Sequence, residues 1–408
     1  MGVGLLCAVA AIAAPGPGAA QDTLSLHEAI DTALAQNALV AAGVQRVHAA
    51  EGAKTQAGLA PNPRFIFQHE NIRLWGSPLY GYWQDTDTYA YVSQVIETAN
   101  KRGHRVETAS AGLNGAKAEQ DVLKFQISAR VAAAYWAAAG ADRMRRLLRQ
   151  QEQNIMQTLS YTEVRVKEGA AAGVDLMRMR LEQQRVSALL STAEADAVRT
   201  RAMLFEAMGI PARDDVTLSE DLESIRVPVV PDTAQVLEQR PEVRALRRAA
   251  DTAKANVKLQ RAVATPDVEV LGGYKRTAGV DTLIGGVQFN LPWRNRNQGN
   301  IASAEAEVRG AEENLRAMTV QVETEVSAAV ADYNVKRALV TEAFPEMRRN
   351  AAESARIVTA AWKEGGADIL RWLDAERVRI DVELQYARAL VDFQQSALQL
   401  TIATGANP

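Results

Sequence analysis

The sequence predicts a mainly α-helical fold, built from two duplicated long helical hairpins with a small transmembrane β part. The tripeptide Lys-Glu-Gly occurs at 167–169 and again at 363–365, and the two copies are 196 residues apart. Each copy follows a long interval with little or no proline, which favours a very long helix. Four runs with strand character precede these helices, two in each half. Two copies of one structural plan are therefore expected.

An internal duplication explains the repeated tripeptide. Gly103 and Gly299 are also 196 residues apart, as are Gly209 and Gly405. Downstream, apolar positions match at an offset of 194: Leu176, Met179, Val186, Leu190, Ala193 and Leu204 with Leu370, Leu373, Ile380, Leu384, Ala387 and Leu398. Steps of three and four residues between apolar positions are typical of a coiled-coil seam.

We interpret residues 21–209 as the first repeat, 210–231 as a connecting equatorial segment and 232–408 as the second repeat.

Each half is predicted to run in the same order. A first helix, at 26–60 or 233–264, ends near a proline and leads into two strands. A long helix follows, at 101–167 or 297–363, and at 1.5 Å per residue it would reach roughly 100 Å. The Lys-Glu-Gly loop then leads into a return helix. Pro345 is expected to kink the second long helix.

The Lys-Glu-Gly loops have a purely structural interpretation. A cation near a helix C-terminus followed by glycine is typical of a left-handed helix cap. Asp175 and Asp368 are interpreted as N-caps of the return helices. A docking function is the alternative, and it gains weight because both loops sit at equivalent ends of paired hairpins.

The strands are predicted at 64–73, 86–98, 267–276 and 281–291, close to the length that a tilted strand needs to cross a bilayer. The last run alternates most clearly: Leu283, Gly285, Val287, Phe289 and Leu291 face one side, and Thr282, Gly286, Gln288 and Asn290 face the other. The first two runs are ambiguous. Four strands cannot close a barrel, and lipid does not tolerate open edges, so several copies must share one barrel. Two soluble hairpins capping a helical rod are the alternative.

Aromatic residues cluster beside the predicted strands. Trp75, Tyr80, Tyr82 and Trp83 lie between the first two strands, and Trp293 follows the last. Aromatic side chains at the ends of membrane strands lie at the headgroup level. An ordinary loop with a small aromatic cluster fits this feature equally well.

The first 20 residues are predicted to be a signal peptide, because a short apolar run precedes the small residues Gly18, Ala19 and Ala20. Cys7, the single cysteine, would leave with this segment, and its neighbours do not form a lipoprotein box. No later run approaches eighteen uninterrupted apolar residues, so no transmembrane helix is predicted. A formal charge of −3 without basic runs argues against nucleic-acid binding.

The sequence predicts no enzyme. The four histidines, His27, His48, His69 and His104, are scattered and form no metal-binding motif. We therefore predict no catalytic, cofactor-binding or metal-binding residues.

In the stretch LPWRNRNQGNIASAEAEV at 291–308, the last strand ends at a proline and a polar turn leads into the long helix, and in EGGADILRWLDAER at 364–377 a glycine tip leads into the return helix. With the duplicated order of elements, these stretches resemble the TolC-type outer-membrane efflux proteins, and most closely their heavy-metal branch. The resemblance implies a homotrimer in the outer membrane of a Gram-negative bacterium. Twelve shared strands would form a β-barrel, continued through the periplasm by an α-helical barrel.

The resemblance also implies partners and a function. The protein would be a passive exit duct for heavy-metal cations, opened by a periplasmic adaptor bound to an inner-membrane, proton-driven pump of the resistance–nodulation–division type. Residues implied to contact the adaptor or line the aperture are Lys167, Gly169, Asp175, Lys363, Gly365 and Asp368. A duct for organic toxicants and a soluble periplasmic coiled-coil scaffold remain the alternatives.

Overall fold

The computed structural model describes residues 22–73, 75, 79–213, 216–225 and 228–408. The predicted signal peptide lies outside these residues. The first half contains β1 (Asp22–Leu24), α1 (Leu26–Gln36), α2 (Ala38–Ala57), β2 (Arg64–Glu70), α3 (Tyr82–Asp85), β3 (Asp87–Ile96), α4 (Lys101–Lys167) and α5 (Gly173–Met208). After β4 (Val216–Leu218), the second half contains α6 (Thr233–Gln239), α7 (Pro241–Val263), β5 (Val268–Thr277), β6 (Val280–Phe289), α8 (Gln298–Ala338), α9 (Phe344–Lys363) and α10 (Ile369–Ala403).

The first helix of each half is broken, so the predictions of single helices at 26–60 and 233–264 were wrong. In the first half, Asn37 is extended, and its side chain accepts a hydrogen bond from the N–H of Leu39 at the start of α2. In the second half, Arg240 is extended before Pro241. A residue before proline is disfavoured in the helical region, which accounts for the second break.

At each break, a side chain forms a hydrogen bond with the C-terminal end of a return helix, and we call this repeated contact the equatorial latch. The Asn37 Nδ2 atom donates to the carbonyl of Ala207 in α5 at 3.2 Å. The Arg240 Nη1 atom donates to the carbonyl of Ala403 in α10, also at 3.2 Å. Each latch supplies a donor to a carbonyl that has no partner within its own helix. The two halves therefore close in the same way with different side chains.

The first long helix is continuous, whereas the second is interrupted. α4 runs for 67 residues, ending at the predicted Lys167. The second leaves α-helical geometry at Leu339–Ala343, which form a π-helical turn, and resumes as α9. Pro345, in the first turn of α9, has no N–H and its ring crowds the carbonyl four residues earlier, so the wider turn precedes it.

The main core lies around the middle of the helical hairpins. Tyr135 of α4 is fully buried there, and its hydroxyl donates to the carbonyl of Leu24 at 2.8 Å and accepts from the N–H of Glu220 at 3.1 Å. These contacts hold β1 and β4, which pair in parallel and were not predicted. Gln394 of α10 donates to the carbonyl of Leu222 at 2.9 Å. The equatorial segment is thus attached to both hairpins.

The remaining four strands form one antiparallel sheet in the order β2-β3-β5-β6. The strand pair of the first half joins that of the second through β3 and β5. The predicted strands are confirmed in position, with ends that differ by a few residues. None of the helices formed by the described residues combines the length and the apolar character that a membrane-spanning helix requires.

Candidate membrane sheet and helical tips

The sheet has one apolar and one polar face. Residues that are paired across strands share a face, so the register assigns each side chain. Nearly all exposed large apolar side chains of the strands fall on one face: Phe65, Phe67, Val92, Ile96, Val270, Tyr274, Leu283, Val287 and Phe289. Val280, the first residue of β6, is the exception on the other face. Leu283 is 89% exposed. A bare apolar face of this extent is typical of a surface that contacts lipid.

The alternation predicted for β6 is confirmed, with Ile284 as the exception on the polar face. The ambiguity in β2 is resolved as well. Phe65 and Phe67 lie on the apolar face, and Ile66 lies opposite. Ile72 follows the end of the strand, so it does not belong to the alternating pattern.

Charged groups on the polar face compensate one another. The Arg64 Nη2 atom lies 2.6 Å from the Glu269 Oε1 atom, and Gln288 donates to the other oxygen of Glu269, also at 2.6 Å. Nearer the opposite end, the Lys275 ammonium lies 5.4 Å from the ring centre of Tyr89. This face therefore presents charged and hydrogen-bonded groups, whereas the opposite face of the same strands is apolar.

The predicted aromatic residues lie at both ends of the sheet. Trp75 is 85% exposed, and Trp293, which follows β6 at the other end, is 83% exposed. The hydroxyl of Tyr80 forms a hydrogen bond with that of Thr86. Tyr82 and Trp83 pack edge to face, with ring centres 5.3 Å apart. Their position at a membrane interface stays a prediction.

The two Lys-Glu-Gly loops end their helices as the sequence predicts. Gly169 and Gly365 both have left-handed backbones, with φ of 72° and 81°. After α4, the N–H of Ala170 donates to the carbonyl of Arg165 at 2.8 Å, which satisfies an end carbonyl of the helix. Gly366 makes the equivalent bond after α9 at 2.7 Å. Lys167 and Lys363 are exposed in both loops.

The two aspartates differ in their helix-cap roles. Asp368 is the N-cap of α10, and its carboxylate accepts from the N–H of Arg371 at 2.9 Å. Asp175 is not an N-cap, so that prediction was wrong: Ala172 occupies the cap and α5 begins at Gly173. The extended backbone of Ala172 starts the helix early and leaves Asp175 in the first turn, where the helix dipole favours an acid.

An apolar cluster joins the two hairpins next to these tips. It contains Ile155, Met179, Val186, Trp362, Ile369, Trp372 and Leu373. The rings of Trp362 and Trp372 have centres 5.3 Å apart, and the Trp372 Nε1 atom donates to Thr359 at 3.1 Å. These tryptophans are not among the site residues predicted from the sequence, although Trp362 directly precedes the second Lys-Glu-Gly.

A buried carboxylate, Glu182 of α5, also connects the hairpins. Its side chain is 3% exposed, and one oxygen lies 2.6 Å from Arg185 while the other lies 2.6 Å from Arg377 of α10. Burial raises the pKa of Glu182, but hydrogen bonds from the two guanidinium groups outweigh it and hold the pKa below its ordinary value. Sequence reasoning missed this pair, although the 194-residue offset relates Glu182 and Arg185 to Glu376 and Arg379.

In the part of the chain that the structure describes, no group of three or more histidine, cysteine, aspartate or glutamate side chains is placed to hold a metal ion.

Curated relatives match most of the chain. The cobalt-zinc-cadmium resistance protein CzcC of Cupriavidus metallidurans is 25% identical over 384 residues, covering 93% of this chain and 90% of that protein. The nickel-cobalt-cadmium resistance protein NccC of Alcaligenes xylosoxydans xylosoxydans is 25% identical over 302 residues, covering 73% and 67%.

Solved structures share the fold. The open state of the Neisseria gonorrhoeae MtrE outer membrane channel has a TM-score of 0.78 at 20% identity and covers 94% of this chain and 89% of that one. CusC has a TM-score of 0.77 at 16% identity, covering 93% and 92%. The family model described as outer membrane efflux protein matches residues 29–210 and 233–406. Because these two segments make up most of the sequence, the chain belongs to the outer membrane efflux protein family, and it is a transport protein of the outer membrane and not an enzyme.

Proposed function

We propose that this protein is the exit duct of a tripartite efflux system of the resistance–nodulation–division type, and that its cargo is heavy-metal cations. The assignment as a duct rests on the sheet, because its exposed apolar face suits contact with lipid and its polar face suits contact with water. The names of the curated relatives, which are cobalt, zinc, cadmium and nickel resistance proteins, support the choice of cargo.

The assembly is proposed to be a homotrimer. β2 and β6 are the edge strands of the sheet, and open edges are not tolerated in lipid. Three copies of the four-stranded sheet would supply twelve strands, with β6 of one copy beside β2 of the next. The hairpins would then surround one periplasmic tunnel. We retain 21–209, 210–231 and 232–408 as the proposed division of each chain.

The tips are proposed to contact a periplasmic adaptor, itself bound to a proton-driven pump in the inner membrane. Lys167 and Lys363 are exposed there beside the left-handed glycines Gly169 and Gly365. The aromatic residues at the two ends of the sheet would lie at the two membrane interfaces. Transport would be passive, with hydrated ions passing along the polar groups of the wall.

The test is growth of a strain that lacks this protein on zinc, cobalt, cadmium, nickel, copper, silver, dyes and antibiotics. Sensitivity restricted to metals, restored by the intact chain, is the expected result. Sensitivity to organic compounds alone would overturn the cargo and keep the duct. Protein that washes from membranes in salt, without detergent, would overturn the duct and favour the scaffold.

A second experiment tests the tips. Asparagine caps helices as well as aspartate does, so Asp368→Asn removes a charge and keeps the cap of α10. The Asp175→Asn/Asp368→Asn double variant should change single-channel conductance or ion leakage, whereas Asp392→Asn, an exposed charge change nearer the end of α10, should not. Unchanged conductance in the double variant would contradict a role of these carboxylates at the aperture.

A further inference from the structure

We propose that the turn after β6, residues 291–297, binds the headgroup of an anionic phospholipid in the periplasmic leaflet of the membrane. We call these residues the lipid turn. The inference rests on the membrane-crossing sheet of the proposed function and is independent of the cargo. The ligand chemistry is a phosphodiester on a diacylglycerol, such as phosphatidylglycerol.

The lipid turn lies at the periplasmic end of the sheet. β3 ends at Ile96, and the long helix α4 begins at Lys101, so the hairpins leave the sheet at this end. β6, antiparallel to β5, ends at Phe289 on the same side. The apolar face continues into the turn through Leu291, which is 76% exposed, and Trp293. Indole rings are enriched at the headgroup level of membranes.

The backbone of the turn is held in place by its own hydrogen bonds. The Gln298 side chain donates to the carbonyl of Arg294 at 3.1 Å, and the Arg296 Nε atom donates to the carbonyl of Pro292 at 3.3 Å. Asn297 has a left-handed backbone and donates from its side chain to a carbonyl of α7 at 2.7 Å. A ligand would therefore meet a preformed surface.

The charges in the turn lack acidic partners. Arg294 and Arg296 are both exposed, and within the described residues neither has a carboxylate within 4.0 Å. The corresponding linker in the first half, residues 97–100 between β3 and α4, contains an acidic residue: Glu97 forms an ion pair with Arg105 of α4. Within the described residues, the lipid turn therefore presents two guanidinium groups that have no acidic partner.

Headgroup chemistry fits these groups. Guanidinium groups bind phosphate oxygens through paired N–H donors, and the remaining Arg296 N–H groups and those of Arg294 are available for this. A lipid that docks here would place its phosphate on the arginines and its acyl chains along Leu291 and the exposed apolar face. A soluble phosphate would lack the second contact, so the occupant is a lipid.

The test is binding of phosphatidylglycerol to the full detergent-purified protein, measured by native mass spectrometry. We expect the Arg294→Gln/Arg296→Gln variant to bind about 30-fold more weakly at low salt, or about fivefold for each arginine. Trp293→Ala should weaken binding independently of salt. The control Arg146→Gln/Arg349→Gln has the same loss of charge at exposed helical positions.

The outcomes separate the possibilities. Equal phosphatidylglycerol binding by the double variant and the wild type would overturn the proposal, as would equal losses in the control. Preference for lipid A, from the outer leaflet, over phosphatidylglycerol would overturn the periplasmic assignment, and full displacement by inorganic phosphate would overturn the lipid assignment. Helical circular dichroism establishes that each variant is folded. If the deletion strain tolerated metals as well as the strain with the intact chain does, the proposed cargo would be overturned, but the lipid-binding result would be unaffected.

Discussion

Replacing Glu182 by glutamine should loosen the contact between the two hairpins near their tips. The carboxylate accepts from Arg185 at 3.0 and 2.6 Å and from Arg377 at 2.9 and 2.6 Å. Glutamine has nearly the same shape but no charge, and it offers one oxygen acceptor in place of two. One guanidinium group must therefore lose its charge-assisted hydrogen bonds.

The size of the effect follows from burial. Removing one member of a fully buried ion pair costs about 3–5 kcal/mol. The side chains of Arg185 and Arg377 are 42% and 52% exposed, so they recover much of their hydration. Hydrogen bonds to charged groups contribute about 1.5–3 kcal/mol, and we expect a loss in this range. At 1.4 kcal/mol for each factor of ten, local opening should become about 10- to 100-fold more frequent.

Amide hydrogen exchange measures this opening along α5 and α10. The matched control is Glu353→Gln, because Glu353 pairs with Arg356 on the exposed surface of α9 and should change exchange less than about threefold. The pKa of Glu182 is depressed in the folded state, so its stabilisation is present above the unfolded pKa of about 4.3 and is lost as the pH falls through the folded value. Wild type and variant should therefore converge at strongly acidic pH. Exchange at the contact within twofold of wild type at pH 7 would refute this reasoning.

The remaining predictions concern the sheet, the latch and the tips. Leu283→Arg places a charge on the lipid side of β6 and should lower the free energy of unfolding in liposomes by about 2–4 kcal/mol. Thr282→Arg, on the polar face, should lower it much less. Similar losses for the two variants would contradict the assignment of faces. Gly209→Ala should lower the melting temperature more than Gly169→Ala does. Both glycines have left-handed backbones, but a Cβ at Gly209 would lie 2.9 Å from the Asn37 side chain of the latch, whereas a Cβ at Gly169 would meet no atom within 4 Å. Equal melting temperatures would count against the latch. Asp368→Ala should cost about 1 kcal/mol of helix stability, which Asn would restore in the same melt; no loss would argue against the cap.

Features set by local patterns could be predicted from the sequence. The duplication, the continuous α4, the left-handed Gly169 and Gly365 and the alternation of β6 all depend on neighbouring residues. Each uses a short-range rule, either a helix cap or a period of two or seven residues. These features were also enough to show the resemblance to the family.

Features set by distant contacts could not be predicted in this way. The break at Asn37 is held by a carbonyl 170 residues away, and the ion pair of Glu182 with Arg377 spans 195 residues. The sequence predicts an N-cap at Asp175 as well as at Asp368, but the longer first loop allows α5 to begin earlier, at Gly173. The candidate site showed the same division, since the tip glycines were found and the tryptophan cluster behind them was not.

The equatorial latch has a consequence for how the two halves could evolve. Each half binds the end of its own return helix, so an ancestral gene encoding one half would already have possessed this closure, and its duplication would have copied it. The acceptors remain equivalent carbonyls, at Ala207 and Ala403, while the donors are now an amide from Asn37 and a guanidinium group from Arg240. Because neither half depends on the other for this contact, mutations in one half leave the latch of the other half intact. After duplication, the two halves could therefore diverge, including at their tips, while each kept its own latch.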